Sequence, residues 1–289
     1  MISYNKLPKA PLKWAGGKAR MSTLILEKME LFPKSKRFVD LFAGAGTVAI
    51  FASERFDQIL FNDLNDELIN LYEVIRDKPQ ELIKALRAHQ SKHSKEYYYQ
   101  VRAWDRENNK KMLNLVQRAA RTIYMNKTGF NGLYRVNSLG FFNVPFGNPI
   151  FKVDEENLLS LSDLLIKKSF TFFRLDFEAM LSQLKKGDLV YIDPPYDDLE
   201  NDTFNGYTKE QFGRVEQHRL KLFIDQLTLQ GIGVIYSNHS TQYINELFKD
   251  YITKNDVYEV QRAISANGRL RKKVDELLIT NARQLNNEN

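Results

Sequence analysis

Arg37-Phe-Val-Asp-Leu-Phe-Ala-Gly-Ala-Gly-Thr47 is the stretch that decides the fold. Arg37–Phe42 is a short apolar run of strand type, Ala43–Thr47 is a glycine turn, and a helix follows from about Val48 to Arg55. Strand, glycine turn and helix in that order open a doubly wound α/β unit, whose ligands gather at the carboxyl ends of the strands. The turn departs from the dinucleotide fingerprint, because Ala49 stands where the third glycine would be.

The second strand, Gln58–Asn62, ends at Asp63. An acid there is placed to bind ribose hydroxyls. Asp63-Leu-Asn-Asp-Glu-Leu68 also reads as a helix start, with Asp66 as the cap and Asp63 left for a ligand. Upstream, Lys13-Trp-Ala-Gly-Gly-Lys18 forms a turn before a helix over Met21–Met29. Its paired glycines permit close approach to a ligand, or the tryptophan simply plugs the core. The glycine turn and the acid together suggest a nucleoside-bearing cofactor.

Asp188–Ile192 reads as a buried strand, and Asp193-Pro194-Pro195-Tyr196 follows it. Two prolines end the strand and stiffen the loop. Asp193 offers a carboxylate, Pro194 a carbonyl and Tyr196 a flat ring, a set that can grip a planar amine. The alternative is a proline-stiffened turn. Phe170–Arg174 reads as another strand, with Asp176 and Phe177 at its end suited to hydrogen-bond and stack on an adenine. A helix over Gln211–Gln230, a strand over Gly233–Ser237 and a closing pair, Val257–Arg262 with Val274–Thr280, complete the sheet. The polar segment Leu199–Tyr207 reads as a substrate-side lid, and Gln284–Asn289 as a frayed tail.

Between the helix Glu67–Arg76 and Phe170 the βα alternation stops for longer than any ordinary crossover. A mainly helical insertion, about 77–155, is expected there. Met112, Leu115, Val116, Ala119, Ala120 and Ile123 form its apolar stripe. From Asn108 to Val153 there is no acidic residue, although the chain has 36, and Lys110, Lys111, Arg118, Arg121, Lys127, Arg135 and Lys152 lie within it. Such a stretch suits phosphates. Tyr134–Asn137 and Phe141–Val144 can pair as a hairpin through Ser138–Gly140, with Arg135 and Asn137 on one face. A β-ribbon fits a major groove, where arginine reads guanine and asparagine reads adenine. A glycine-rich loop with buried aromatics is the plainer alternative. The connection Ser265–Lys273, with Asn267, Arg271 and Lys272, is a second candidate for phosphate contact.

Composition narrows the classes. The chain has 289 residues, 43% hydrophobic, net charge +6 and no cysteine. That excludes disulfides, thiolate metal sites and a cysteine nucleophile. No apolar run is long enough for a transmembrane helix, and the start lacks the apolar core of a signal peptide. His89 and His93 are four apart, on what reads as a polar helix surface, so no metal is expected.

Lys13–Lys18, Asp40–Gly46, Asn126–Gly147, Asp193–Tyr196 and Arg262–Leu277, in this order over nearly the whole chain, resemble the D12-class DNA adenine methyltransferase (Dam) family. The resemblance implies a Rossmann-like methyltransferase sheet, 1–76 with 156–289, and a target-recognition subdomain over 77–155 that carries a β-hairpin. It implies methyl transfer from S-adenosylmethionine to adenine N6 in double-stranded DNA, usually within GATC, on a base flipped from the duplex and held by Asp193, Pro194, Pro195 and Tyr196. Trp14, Ala15, Gly16, Lys18, Asp40, Phe42, Gly44, Gly46, Asp63, Asp176, Phe177 and Asp193 would line the cofactor site. Arg135 occupies the family's base-reading position, and Phe130 and Leu133 match residues that wedge or touch bases. Lys13, Asn131 and Pro145 would join the DNA contacts. A cytoplasmic, nucleoid-associated enzyme is implied, with room for a cognate restriction endonuclease as functional partner. This chain has Asn148 where relatives commonly carry arginine after Pro-Phe-Gly, and Asp40-Leu-Phe42 where they have Glu-Pro-Phe.

Three other readings compete. A cytosine-N4 methyltransferase would use the same clamp, although Asp rather than Ser before Pro-Pro-Tyr favours adenine. A nicotinamide dehydrogenase leaves the basic insertion unexplained, and a non-catalytic nucleic-acid binder leaves Asp193–Tyr196 unexplained. A C5-cytosine enzyme needs a thiolate that this chain lacks.

Overall fold

The computed structural model describes residues 7–14, 18, 21–106, 113–197, 212–261 and 273–287. Its centre is a seven-stranded sheet of β1 (Arg37–Asp40), β2 (Ile59–Asn62), β3 (Phe170–Phe173), β4 (Asp188–Ile192), β5 (Gly233–His239), β6 (Val257–Gln261) and β7 (Lys273–Thr280). The spatial order is β3-β2-β1-β4-β5-β7-β6, parallel throughout except for β7, which runs against both β5 and β6. Side chains alternate between the two faces as strand geometry requires. Phe38, Ile59, Phe61, Leu189 and Tyr191 enter one buried cluster, while Val39, Leu60, Val190 and Ile192 enter the other. Both faces are therefore covered, which is the expected doubly wound arrangement. Chain order reverses between β1 and β4, neighbours in the sheet. The loops after these two strands carry the glycine turn and Asp193, so the topology brings both motifs to one crevice.

Helices α1 (Ser22–Met29), α2 (Thr47–Ala52), α3 (Asp66–Asp77), α4 (Pro79–Lys92), α5 (Lys95–Arg102), α6 (Leu115–Thr128) and α7 (Glu155–Lys167) lie on the first face; α8 (Arg214–Leu229) and α9 (Gln242–Leu247) lie on the second. The helices α4–α6 lie within residues 77–155, and their buried residues Leu82, Leu86, Tyr98, Ala119, Ala120 and Ile123 continue the cluster that α3 and the sheet begin. Leu115, expected on the stripe, is exposed at the first turn of α6. His89 also departs from expectation. It is buried, stacked on Tyr124 at 4.8 Å and bonded through Nδ1 to the Tyr97 hydroxyl, and burial lowers its pKa to about 4. Of the expected frayed tail, residues 284–287 belong to the helix α10 (Ala282–Asn287), whose Arg283 and Gln284 donate to the Asp250 carbonyl; residues 288–289 lie outside the described residues.

The hairpin is slighter than expected. Tyr134–Val144 forms one antiparallel bridge, Val136 to Phe142, with Asn137 N–H donating to Phe141 and Asn143 N–H to Arg135. The Asn137 side chain folds into the turn and accepts from the Leu139 and Phe141 amides, which diverts it from a base edge. The Leu199–Tyr207 and Ser265–Arg271–Lys272 expectations lie outside the described residues, as do Ala15, Gly16, Lys110, Lys111 and Asn267.

Candidate active site

The crevice is built from charge. Asp40 ends β1 and is 2% exposed, with Oδ2 accepting from the Ala49 amide at 3.2 Å. Burial lifts its carboxyl well above the ordinary range, and the nearby Asp193 and Asp63 carboxylates lift it further. Asp193 lies just beyond β4, and its Oδ2 meets Lys18 Nζ at 3.0 Å. Lys18 is itself 5% exposed and sits over the Tyr196 ring, 4.6 Å from its centroid. Burial raises the Asp193 carboxyl above its ordinary range against the opposing pull of Lys18 and the Tyr196 hydroxyl. Its second oxygen, Oδ1, is buried without a hydrogen-bond partner among the described residues. A buried acceptor left unpaired is costly, and functional sites are where such atoms persist.

The clamp is braced from behind. Gln217 of α8 is fully buried and donates to the Pro195 carbonyl at 3.0 Å, while its Oε1 accepts from Tyr236 and Asn238. The Asn238 oxygen takes the Asp197 amide, and Thr241 donates to the Asp197 carboxylate. The Tyr196 hydroxyl pairs with Ser237, and its ring packs edge-on to His239 at 4.7 Å. None of these braces was foreseen. Gln217 was findable, as a long polar residue in register with the apolar Leu220–Ile224 stripe of α8. The run Ser237-Asn-His239 was a second signal, because polar residues close an otherwise apolar strand.

The glycine turn sits opposite. Gly44 and Gly46 have φ of +51° and +70°, and a Cβ at Gly46 would stand 2.6 Å from the Tyr72 hydroxyl. Such φ values favour glycine. Asp63 accepts from the Gly44 amide and from the Asn65 amide, each at 2.8 Å. It therefore holds the turn and the entrance to α3 together. The cap itself is Asn65, whose side chain accepts from Glu67, and not Asp66, which pairs with Arg118 and Arg174. Trp14 lies against Gly44, where a Cβ would be 3.0 Å from its indole. Phe177 departs from its expected role. It is 3% exposed among Phe42, Phe212 and Phe223, with the Arg219 guanidinium over its ring. Asp176 accepts from the Glu178 amide and pairs with Arg219. A ring so enclosed contributes packing rather than a stacking face.

The expected phosphate contacts divide. Arg118 is paired with Asp66 and Glu67, and Arg121 with Asp105 at 2.9 Å while donating to the Val101 and Arg102 carbonyls. The acid-free stretch thus draws its counter-ions from α3 and from the turn after α5, which a linear charge count does not see. These two arginines hold the fold rather than a phosphate. Lys13 is exposed; burial lowers the pKa of half-buried Lys127, and the Lys13 charge lowers it further. Arg135 is exposed, with Nε donating to Asn143 Oδ1 at 2.7 Å. Phe130, Asn131 and Pro145 are exposed and Leu133 is half-buried; Asn131 has φ of +55°.

The description that matches this sequence is D12 class N6 adenine-specific DNA methyltransferase, over residues 14–264. The chain belongs to this family. It is 38% identical to the Type II methyltransferase M1.LlaDCHI of Lactococcus lactis subsp. cremoris, covering 97% of this chain and 98% of that one. It is 35% identical to the Type II methyltransferase M.MjaIII of Methanocaldococcus jannaschii, covering 93% and 98%, and 35% identical to the DNA adenine methylase of Escherichia coli (strain K12), covering 94% and 95%. In this DNA adenine methyltransferase, Asp193–Tyr196 follows β4, which pairs with β1 in the sheet. Among the described residues no helix is long and apolar enough to cross a membrane.

Proposed function

We propose that the protein transfers the methyl group of S-adenosylmethionine to N6 of an adenine in double-stranded DNA, within GATC, on a base flipped out of the duplex. The observation that carries this reading is the buried, unpartnered Asp193 Oδ1. The N6 lone pair of adenine is delocalised into the ring and is a poor nucleophile. An N6 amine donating to Asp193 Oδ1 and to the Pro194 carbonyl has its lone pair directed away from those acceptors. Lys18 fixes the other Asp193 oxygen and covers one face of Tyr196; the flipped base would stack on the opposite face. Catalysis of this kind rests on positioning and preset charge, with no covalent enzyme adduct.

The crevice suits the cofactor. Asp63, at the end of β2, is placed for ribose hydroxyls, and the glycine turn lets a ligand approach the backbone. Asp40 and Asp193 supply negative charge complementary to a sulfonium. Trp14, Lys18, Asp40, Gly44, Gly46 and Asp63 would hold S-adenosylmethionine, which supplies an electrophilic methyl when bound. Arg135 supports the guanine of GATC. DNA as partner implies a cytoplasmic, nucleoid-associated protein. Tritiated methyl transfer onto GATC duplexes and each single-base variant, with identification of the methylated nucleoside, tests the reading. Label in N6-methyladenine on GATC alone is expected; label in N4-methylcytosine, or none, would overturn it.

A further inference from the structure

Tyr134 stands immediately before Arg135, yet its ring points away from solvent. It packs on Trp14, centroid to centroid 5.0 Å, and on Phe142 at 5.8 Å. Trp14 in turn lies against Gly44 of the glycine turn. A second tie runs alongside. Fully buried Asn126 accepts from the Lys13 amide and donates to the carbonyls of Lys13 and Gly132. The Lys13 stem also lies over Gly132, where a Cβ would be 2.6 Å from Lys13 Cδ. Residues 13–14 and 132–134 are thus fastened into one unit that touches Gly44 of the glycine turn on one side and carries Arg135 on the other.

We infer that Tyr134 is a positioning residue that couples cofactor retention to DNA reading, by joining Trp14, and through it the glycine turn, to the segment bearing Arg135. The inference rests on the functional reading above. Whatever orders Trp14 and the glycine turn also orders the backbone next to Arg135, and linkage makes the effect reciprocal. The contacts form a packed path, and the coupling measurement is what gives that path physical meaning.

The test uses the full chain and S-adenosylhomocysteine, titrated with and without a pool of unmethylated mixed-sequence duplexes, so that GATC preference does not enter. Its readout is the ratio of the two dissociation constants. For the wild type a ratio of about fivefold or more is expected, the scale of ordinary coupling. Tyr134→Leu should bring the ratio to within about twofold of unity, and Tyr134→Phe, which keeps the ring on Trp14, should restore most of it. A purely structural role would lower the melting temperature and leave the ratio alone. A wild-type ratio of one, an unchanged ratio in Tyr134→Leu, or Tyr134→Phe behaving like Tyr134→Leu would overturn the inference. If Tyr134→Leu does not fold, Tyr134→His, with its smaller ring, is read in the same way. A wild type that binds no S-adenosylhomocysteine at all is a separate result, which would sink the functional reading and this inference with it.

Discussion

Lys18 and Asp193 form an ion pair of 3.0 Å in which both partners are largely withdrawn from water, at 5% and 18% exposure. Such a pair is weak evidence for stability, since desolvation offsets most of the attraction, but breaking it leaves a buried charge. Its value here is positional: Lys18 takes one carboxylate oxygen and leaves the other buried without a hydrogen-bond partner among the described residues.

Asp193→Ala is therefore expected to do two things. Methyl transfer should vanish, and stability should fall by about 3 kcal/mol, because Lys18 loses the carboxylate it faces. The double variant Lys18→Met with Asp193→Ala should recover most of the stability and none of the activity. Denaturant melts and tritium transfer on the two proteins check this. Activity above a trace in either would end the amine-clamp mechanism.

The Asp193 carboxyl must be ionised to accept from an amine at its open oxygen, and its pKa is raised by burial and held down by Lys18. Activity should fall as pH drops through that raised value, giving an acid limb of kcat/KM above the ordinary carboxylate range. Lys18→Met removes the opposing charge, so the limb should move to higher pH. A limb that stays in place would mean that another group controls it.

Asp40 gives the matching stability prediction. Its folded-state pKa lies well above the ordinary 3.8, with burial the largest cause. A carboxyl raised in this way favours the folded state below its unfolded value, and that contribution is lost as pH rises through the folded value. At neutral pH the charged form is a penalty. Asp40→Asn can keep an acceptor for Ala49 without the charge, so it should raise the melting temperature at pH 8. The gain should shrink steadily as pH falls toward 4. Calorimetry at several pH values decides it; an equal gain at every pH would exclude charge as the cause.

Most of the strands, the glycine turn and the places of Asp63 and Asp193 at strand ends were legible because each depends on local pattern: apolar runs, glycines and an acid at a strand end. What stayed hidden depends on contacts distant in sequence. Arg121 and Asp105 are neighbours only after α5 and α6 pack, so the charge run looked free for phosphates. Phe177 looked like a stacking ring because nothing local shows Phe212 and Arg219 closing over it. Asn126 lay inside a quoted motif, but its tie to Lys13 spans 113 positions.

That distinction separates two kinds of basic residue. Arg121→Leu should lower stability by about 3 kcal/mol or more, through the lost partner of buried Asp105, and leave the salt dependence of DNA binding unchanged. Lys13→Ala, at an exposed site, should barely affect melting and should flatten the salt dependence by about one unit of slope. Binding isotherms across a salt series distinguish them, and a flattened slope for Arg121→Leu would return it to the phosphate contacts.

Asp63 should show a double effect of its own. Alanine there removes the acceptor of two backbone amides, at Gly44 and Asn65. Each bond to a charged group is worth roughly 1.5–3 kcal/mol. Asp63→Ala should therefore weaken S-adenosylmethionine binding by about that amount and also lower the melting temperature, while DNA affinity measured without cofactor changes little. Lower stability with unchanged cofactor affinity would leave Asp63 as a brace for the turn alone.

Arg135 tests the specificity. It is exposed on the bridged loop, with Nε donating to Asn143 Oδ1. An arginine held at Nε presents two terminal N–H donors, the pair that reads the O6 and N7 of guanine. Arg135→Ala should cost about 1–3 kcal/mol in kcat/KM on GATC and much less on the duplex whose paired guanine is altered. Slow methylation of the target adenine should persist, because Asp193 is untouched. Asn143→Ala should reproduce part of the loss with the same base dependence, since the guanidinium keeps its charge but loses its support. Rates on GATC and on every single-base variant, for all three proteins, give the comparison. A uniform fall across substrates for Arg135→Ala would make it one more backbone contact and move the search for the guanine reader to the rest of Asn126–Gly147.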